Sequence, residues 1–213
     1  MNRYCEKACL IAIIPLLLIL VEAVSYAENH AGLKCLRLGI GAGFLNFKTN
    51  KDIKLIDTSL KTGFVLDMSG GYYLNDRSQV ALLVGIYRKH DDVSQIRSYE
   101  LLANYRYDFS PYRDFSPYAK IGIGIISNSL SRPNIANSAM NFTAPAATLG
   151  FGISYNLSQA LFIDTGYTMQ LSMNSHPSSE EGVPTDQVDA MRANNIKAGS
   201  LLHTVTFGAG FRF

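Results

Sequence analysis

The segment Ser98-Tyr-Glu-Leu-Leu-Ala-Asn-Tyr-Arg-Tyr-Asp-Phe109 decides the fold. Every second residue from Tyr99 to Phe109 is aromatic or aliphatic, whereas the residues between them are mostly polar or charged. A period of two is typical of a β-strand whose two faces meet different surroundings. The segment therefore predicts a strand with one apolar face and one polar face.

Seven further segments alternate in the same way, near residues 35–44, 60–72, 80–87, 119–125, 147–155, 161–170 and 204–213. Strands of about ten residues match the length that crosses a bilayer at a tilt of ~45°. The connections are alternately short (75–78, 110–116, 156–159) and long (46–58, 88–97, 127–142, 172–200). We therefore predict an all-β fold, an eight-stranded antiparallel transmembrane β-barrel with short periplasmic turns and four long outer loops.

Composition indicates which face of the strands meets lipid. Charged residues make up 17% of the chain, below the roughly 25% that is usual in soluble domains. A soluble lipocalin-like barrel would need a charged outer face, but the less apolar face here is mainly Gly, Ser and Thr, which suits a crowded lumen. The aliphatic face is predicted to meet lipid, with an aromatic girdle at the periplasmic ends formed by Tyr72, Tyr107, Phe109, Tyr118, Tyr155, Phe211 and Phe213.

The N-terminal segment has the pattern of an export signal. Arg3 and Lys7 precede an apolar run of 14 residues, Ala8 to Val21, which is too short for a membrane-spanning helix. Small residues then stand at Ser25 and Ala27, where a signal peptidase reads the chain. We predict a signal peptide over 1–27 and an outer-membrane β-barrel domain over 28–213. Cys35 would then be the single cysteine of the mature chain, so no internal disulfide is predicted.

Charges on the less apolar face are predicted to lie in the lumen. They are Arg37, Lys61, Asp67, Glu100, Arg106, Asp108, Lys120, Asp164 and Arg212. An eight-stranded barrel has an interior only wide enough for side chains, and an unpaired buried charge is costly, so we expect these groups to pair. The alternatives are a conduction path and a catalytic network. The net charge of +2 argues against nucleic acid as a partner.

The long loops hold the residues predicted to contact a partner. Lys48, Lys51 and Lys54 make the first loop mildly basic. Residues 184–193 of the last loop fit either a short helix with Val188 and Met191 on one side or a disordered loop tip.

A hydrolase site is an alternative interpretation of the last loop. His176 and Ser178 stand near Glu180 and Glu181, but a loop beside a proline does not hold a nucleophile and a base together. We therefore predict no enzyme activity, no cofactor and no metal site.

Three glycine-rich or aromatic motifs carry a family resemblance: Gly39-Ile-Gly-Ala-Gly43, Pro117-Tyr-Ala-Lys-Ile-Gly-Ile-Gly124 and Phe207-Gly-Ala-Gly-Phe-Arg-Phe213. With them, the chain resembles the eight-stranded outer-membrane barrels of the OmpA-like and opacity-protein type. The resemblance implies a surface antigen of the bacterial outer membrane, acting as an adhesin or an envelope structural component. It implies contact with outer-membrane lipid, with a host surface protein or matrix, and with the barrel assembly machinery, for which the terminal Phe213 is the predicted signal. A narrow porin-like channel and a lipid-modifying enzyme are the alternatives.

Overall fold

The computed structural model describes residues 32–49, 61–90, 95–111, 114–131, 140–175, 178–179 and 198–213. Their strands are β1 (Lys34–Thr49), β2 (Lys61–Tyr73), β3 (Ser78–His90), β4 (Gln95–Asp108), β5 (Phe115–Ser131), β6 (Met140–Asn156), β7 (Leu161–Ser172), β8 (Ser178–Ser179) and β9 (Ala198–Arg212). In this part of the chain, no helix has the length and apolar character needed to cross a membrane.

The eight long strands form a closed antiparallel barrel. Each of the strands β1 to β6 pairs with the next along the chain, β7 pairs with β9, and β9 returns to β1. The two-residue β8 lies outside this wall and pairs only with the loop end of β6. The predicted fold class is confirmed.

The stagger of the strands sets the width of the barrel. Backbone partners followed around the wall from Cys35 lead through Gly71, Ala81, Asn104, Gly122, Thr148, Gln170 and Leu202 to Leu45. The path therefore returns to β1 ten residues further along, from Cys35 to Leu45. At ordinary strand spacings this stagger over eight strands gives a tilt of about 40° and a backbone radius of about 8 Å. Such a radius leaves room for packed side chains in the lumen.

The strands are longer than the alternation of apolar residues predicted. β5 and β6 have 17 residues each, and β1 continues to Thr49. Lys48 therefore lies in β1, where its backbone pairs with Gly199, and the prediction that it belongs to a loop is wrong. The predicted strands ended where the outward residues cease to be apolar, but backbone hydrogen bonding continues past that level.

The two faces of the wall differ as predicted within the central belt. Outward residues such as Ile123 and Phe207 are 71% and 63% exposed, while residues at the alternate positions are buried or half-buried. Tyr72, Phe109 and Phe211 are exposed on the outward face near the short turns. Tyr118 is a correction to the predicted girdle: it is 4% exposed and points into the lumen, because it lies two residues from the inward-facing Lys120.

The polarity of the wall reverses towards the loop end. Above Ile125, the next outward residues of β5 are Ser127 and Ser129, and Ser127 Oγ lies 3.0 Å from Thr143 Oγ1. At the same level the inward residues become apolar and form the outer apolar cluster, which comprises Leu45, Phe47, Val65, Tyr87, Ile96, Leu130, Phe142, Ala198 and Leu202. At its loop end β5 therefore has polar residues outwards, and the interior at this level combines the outer apolar cluster with buried polar side chains such as Asn128 and Ser200.

Candidate functional site

Arg37 joins four strands inside the barrel. Its Nε donates to both carboxylate oxygens of Asp164 at 2.8 Å, and its Nη1 donates to Asp67. Its Nη2 donates to Thr206 Oγ1 at 3.2 Å. All four side chains are buried, so strands β1, β2, β7 and β9 are linked through one guanidinium group.

Arg106 forms a second centre beside the first. Its Nη2 donates to Asp108 Oδ1 at 2.6 Å and to Ser154 Oγ at 2.6 Å, and its Nε donates to Asp108 Oδ1 at 3.0 Å. The guanidinium carbon lies 3.8 Å from the centre of the Tyr118 ring, a cation–π contact. Arg106 Nη1 is 3.7 Å from Asp164 Oδ2, so the two centres meet at Asp164. We call Arg37, Asp67, Arg106, Asp108 and Asp164 the lumen charge network.

Three other charges predicted for the lumen lie outside this network, and a fourth, Lys61, has no described side chain. Glu100 and Lys120 face inwards and are half-buried, and neither forms an ion pair with a described residue. Of the two inward carboxylates on β4, Asp108 and not Glu100 is the partner of Arg106. Arg212 lies nearer the short turns, where it donates to Asn156 Oδ1 at 2.9 Å. Lys61 begins β2, and its side chain lies outside the described residues.

On the loop side of the network, apolar side chains occupy the lumen together with buried polar ones such as Ser98, Asn128 and Ser200. A central group contains Leu83, Leu102, Ile126 and Ala146. The outer apolar cluster follows beyond it, and Leu45 and Tyr87 are among its fully buried members. The described side chains thus occupy the lumen at the level of the charges and again towards the loops. An ion crossing this interior would have to break buried ion pairs and then enter an apolar layer.

Most of the predicted loop residues lie outside the described part of the chain. These are Lys51, Lys54, Val188, Met191, His176, Glu180 and Glu181. Ser178 begins β8, and its backbone pairs with Asn141 at the edge of β6. Among the described residues, no group of three or more His, Cys, Asp or Glu side chains is placed to hold a metal ion.

His203 faces outwards from the wall of β9 and contacts Tyr167 of β7. Its Nδ1 lies 2.5 Å from the Tyr167 hydroxyl, and the Phe151 ring packs 5.2 Å from the Tyr167 ring. Each of these two polar groups therefore has a hydrogen-bond partner on a largely apolar surface.

Phe213 lies at the seam where β9 meets β1. Its backbone NH donates to Lys34 O at 2.9 Å, and its own oxygen accepts from Lys34 N at 2.8 Å. These two hydrogen bonds extend the β1–β9 ladder to the end of the sequence. The part of Phe213 in assembly stays a prediction.

Comparisons with known proteins agree with this architecture. The family model of the outer membrane protein beta-barrel domain matches residues 14–213. No curated protein matches the sequence. Neisserial surface protein A (NspA) has a similar structure, with a TM-score of 0.56 and 16% identity over 84% of this chain and 97% of that one.

Two further solved structures have similar barrels. OprG of Pseudomonas aeruginosa gives a TM-score of 0.50 at 16% identity, covering 86% of this chain and 96% of its own. Ail, the attachment invasion locus protein of Yersinia pestis, gives 0.44 at 18% identity, covering 86% of this chain and 99% of its own. At these identities the structural likeness concerns the fold. With the family match over residues 14–213, the chain belongs to the outer-membrane β-barrel protein family and is a protein of the bacterial outer membrane.

Proposed function

We propose that this protein acts as a surface protein through its outer loops and the rim that carries them, either as an adhesin or as a structural component of the envelope. The observation that carries the proposal is the filled lumen. The lumen charge network and the outer apolar cluster occupy the interior, so transport through the barrel has little support.

The remaining surfaces favour the loop end. The central belt of the wall is apolar and faces lipid, and the short turns face the periplasm. The long connections lie at the opposite end, and the longest runs between Ser172 and Ala198. Binding residues commonly lie on loops that a rigid scaffold holds in place, and strands that continue beyond the belt supply such a scaffold.

Five residues are proposed as partner contacts. Lys51 and Lys54 belong to the first connection, Lys48 stands just before it in β1, and Val188 and Met191 belong to the last. Cations in one connection and an apolar pair in another fit a partner with an acidic patch next to an apolar one.

Removing the last connection tests the proposal. Deletion of residues 180–196 keeps Ser178–Ser179, which pair with β6, and keeps the start of β9. We expect cells expressing this variant to lose attachment to host cells or matrix, while the barrel still runs faster on a detergent gel before heating than after it. A variant of full length, V188S/M191S, removes only the apolar pair and serves as the matched comparison.

Three results would redirect the interpretation. If the unmodified protein gives no attachment, or if attachment survives both this deletion and K51Q/K54Q, the adhesin role is wrong and the envelope role remains. Lipid deacylation that disappears in S178A would favour the enzyme alternative.

A further inference from the structure

The described charged side chains on the outward face of the barrel are all of one sign. Among the described side chains that point outwards from the strands, the charged ones are Lys34, Arg88 and Arg97. Lys34 lies at the end with the short turns, and the two arginines lie at the loop end. The carboxylates of the described strands, Asp67, Glu100, Asp108 and Asp164, all face the lumen. The outer rim therefore has no described carboxylate on its outward face to balance the arginines.

Arg88 and Arg97 are placed side by side by the register of β3 and β4. They are direct backbone partners in this antiparallel pair. Side chains at such positions have Cβ atoms about 5 Å apart, and like charges opposite each other are destabilising. Neither arginine forms an ion pair with another described residue. The arrangement becomes favourable when an anion lies between the two guanidinium groups.

The arginine pair stands at the boundary of the apolar belt. The next outward residues towards the membrane centre are Ile86 on β3 and Tyr99 on β4. On the far side of Arg97, its backbone partner on β5 is Ser129, which supplies a hydroxyl group at the same edge. A molecule at this place meets cations at the rim and apolar side chains directly below them.

We propose that Arg88 and Arg97, with Ser129 beside them, bind the phosphate group of a lipid in the outer leaflet. A guanidinium fork matches the oxygens of a phosphate, and two forks side by side are able to neutralise its charge. The acyl chains of that lipid lie along Ile86, Tyr99 and the apolar wall beneath them. This continuity with the belt favours a lipid over a free phosphate ion. The inference goes beyond the proposed partner contacts, because it concerns the wall and not the loops.

The test is native mass spectrometry of the refolded barrel in neutral detergent, titrated with phosphatidic acid or with phosphatidylcholine. We expect the unmodified protein to bind phosphatidic acid more tightly than phosphatidylcholine. In R88Q/R97Q the dissociation constant for phosphatidic acid should rise roughly tenfold, a change of the size given by one charged hydrogen bond. R88K/R97K keeps the charge but loses the fork and should fall between the two. K34Q, which removes an outward cation at the other rim, should bind as the unmodified protein does.

Several outcomes would overturn the proposal. They are an unchanged dissociation constant in R88Q/R97Q, an equal loss in K34Q, and binding of inorganic phosphate as tight as that of phosphatidic acid. The last result would indicate a site for free phosphate. Mobility on unheated gels confirms that each variant is folded, and the single variants R88Q and R97Q provide the same test if the double variant does not refold.

Discussion

Asp164 accepts hydrogen bonds from Arg37 and lies 3.7 Å from Arg106, so one carboxylate serves two guanidinium groups. The network has three carboxylates and two guanidinium groups, and its members come from strands β1, β2, β4 and β7. Removing a single member leaves buried charge without its partner, which costs more than the intact pair contributes.

Arg106→Met provides a test of this network at the residue scale. The change leaves Asp108 buried without the guanidinium that now lies 2.6 Å away. We expect the free energy of unfolding to fall by about 3 to 5 kcal/mol. The measurement is the urea midpoint of the folded band on unheated gels, from protein in lipid vesicles.

Two comparisons make that result specific. Lys34→Gln, at an exposed position, should change the free energy of unfolding by less than about 0.5 kcal/mol. R106M/D108N removes the stranded carboxylate and should recover part of the loss. An unchanged midpoint in R106M would show that the network contributes little to stability.

The sequence predicted which charged residues face the lumen and offered Asp108, on the same face of β4, as a partner for Arg106, but it did not predict the pairs between strands. Alternation places Arg37 and Asp164 on inward faces, yet 127 residues separate them in the chain. Their contact depends on the stagger of the closed wall, which the pattern of one strand does not encode. Tyr118 and Ser154 also face inwards, and both contact Arg106. Only the geometry of the closed barrel shows that they lie next to it.

At the scale of the elements, the seam between β1 and β9 depends on close approach of the two backbones. A methyl group at Gly41 would press against the backbone of Val205 and Thr206 on β9. A methyl group at Gly70, which faces outwards on β2, would have no heavy atom within 4 Å. These two glycines therefore make a matched pair of positions.

We expect Gly41→Ala to destabilise the barrel by about 1 to 3 kcal/mol, the usual cost of added bulk in a packed site. Gly70→Ala should be neutral or slightly stabilising, since alanine restricts the unfolded chain. Urea midpoints and refolding yields in vesicles measure both effects. Equal behaviour of the two variants would mean that the seam relaxes to accept a side chain.

The ends of the elements were harder to predict than their number. On β5 the outward residues are apolar up to Ile125, and the alternation then continues with the opposite sense, because Ser127 is outward and Leu130 is inward. A search for apolar outward residues stops at that reversal. A search that accepted alternation in either sense, with the apolar residues outward or inward, would have extended the strand towards Ser131, where the structure ends it.

At the scale of the whole molecule, the filled lumen predicts that the barrel does not conduct ions. The lumen charge network and the outer apolar cluster follow one another along the same interior. Moving an ion through an apolar layer without hydration is costly. We expect planar bilayers containing the refolded protein to show no steady single-channel current. Steady currents in the unmodified protein would support the porin-like alternative.

The reversal of polarity along β5 has a consequence for the surrounding membrane. Its outward apolar residues run from Phe115 to Ile125, and Ser127 follows. At a tilt of about 40° those ten steps span about 25 Å, less than the ~30 Å hydrocarbon core of a typical bilayer. Lipids with longer acyl chains must compress beside the wall, because the polar groups above the belt resist being drawn into hydrocarbon. A belt of this height therefore suits the bacterial outer membrane, which is thinner than average, and a thicker bilayer would have to thin beside the wall.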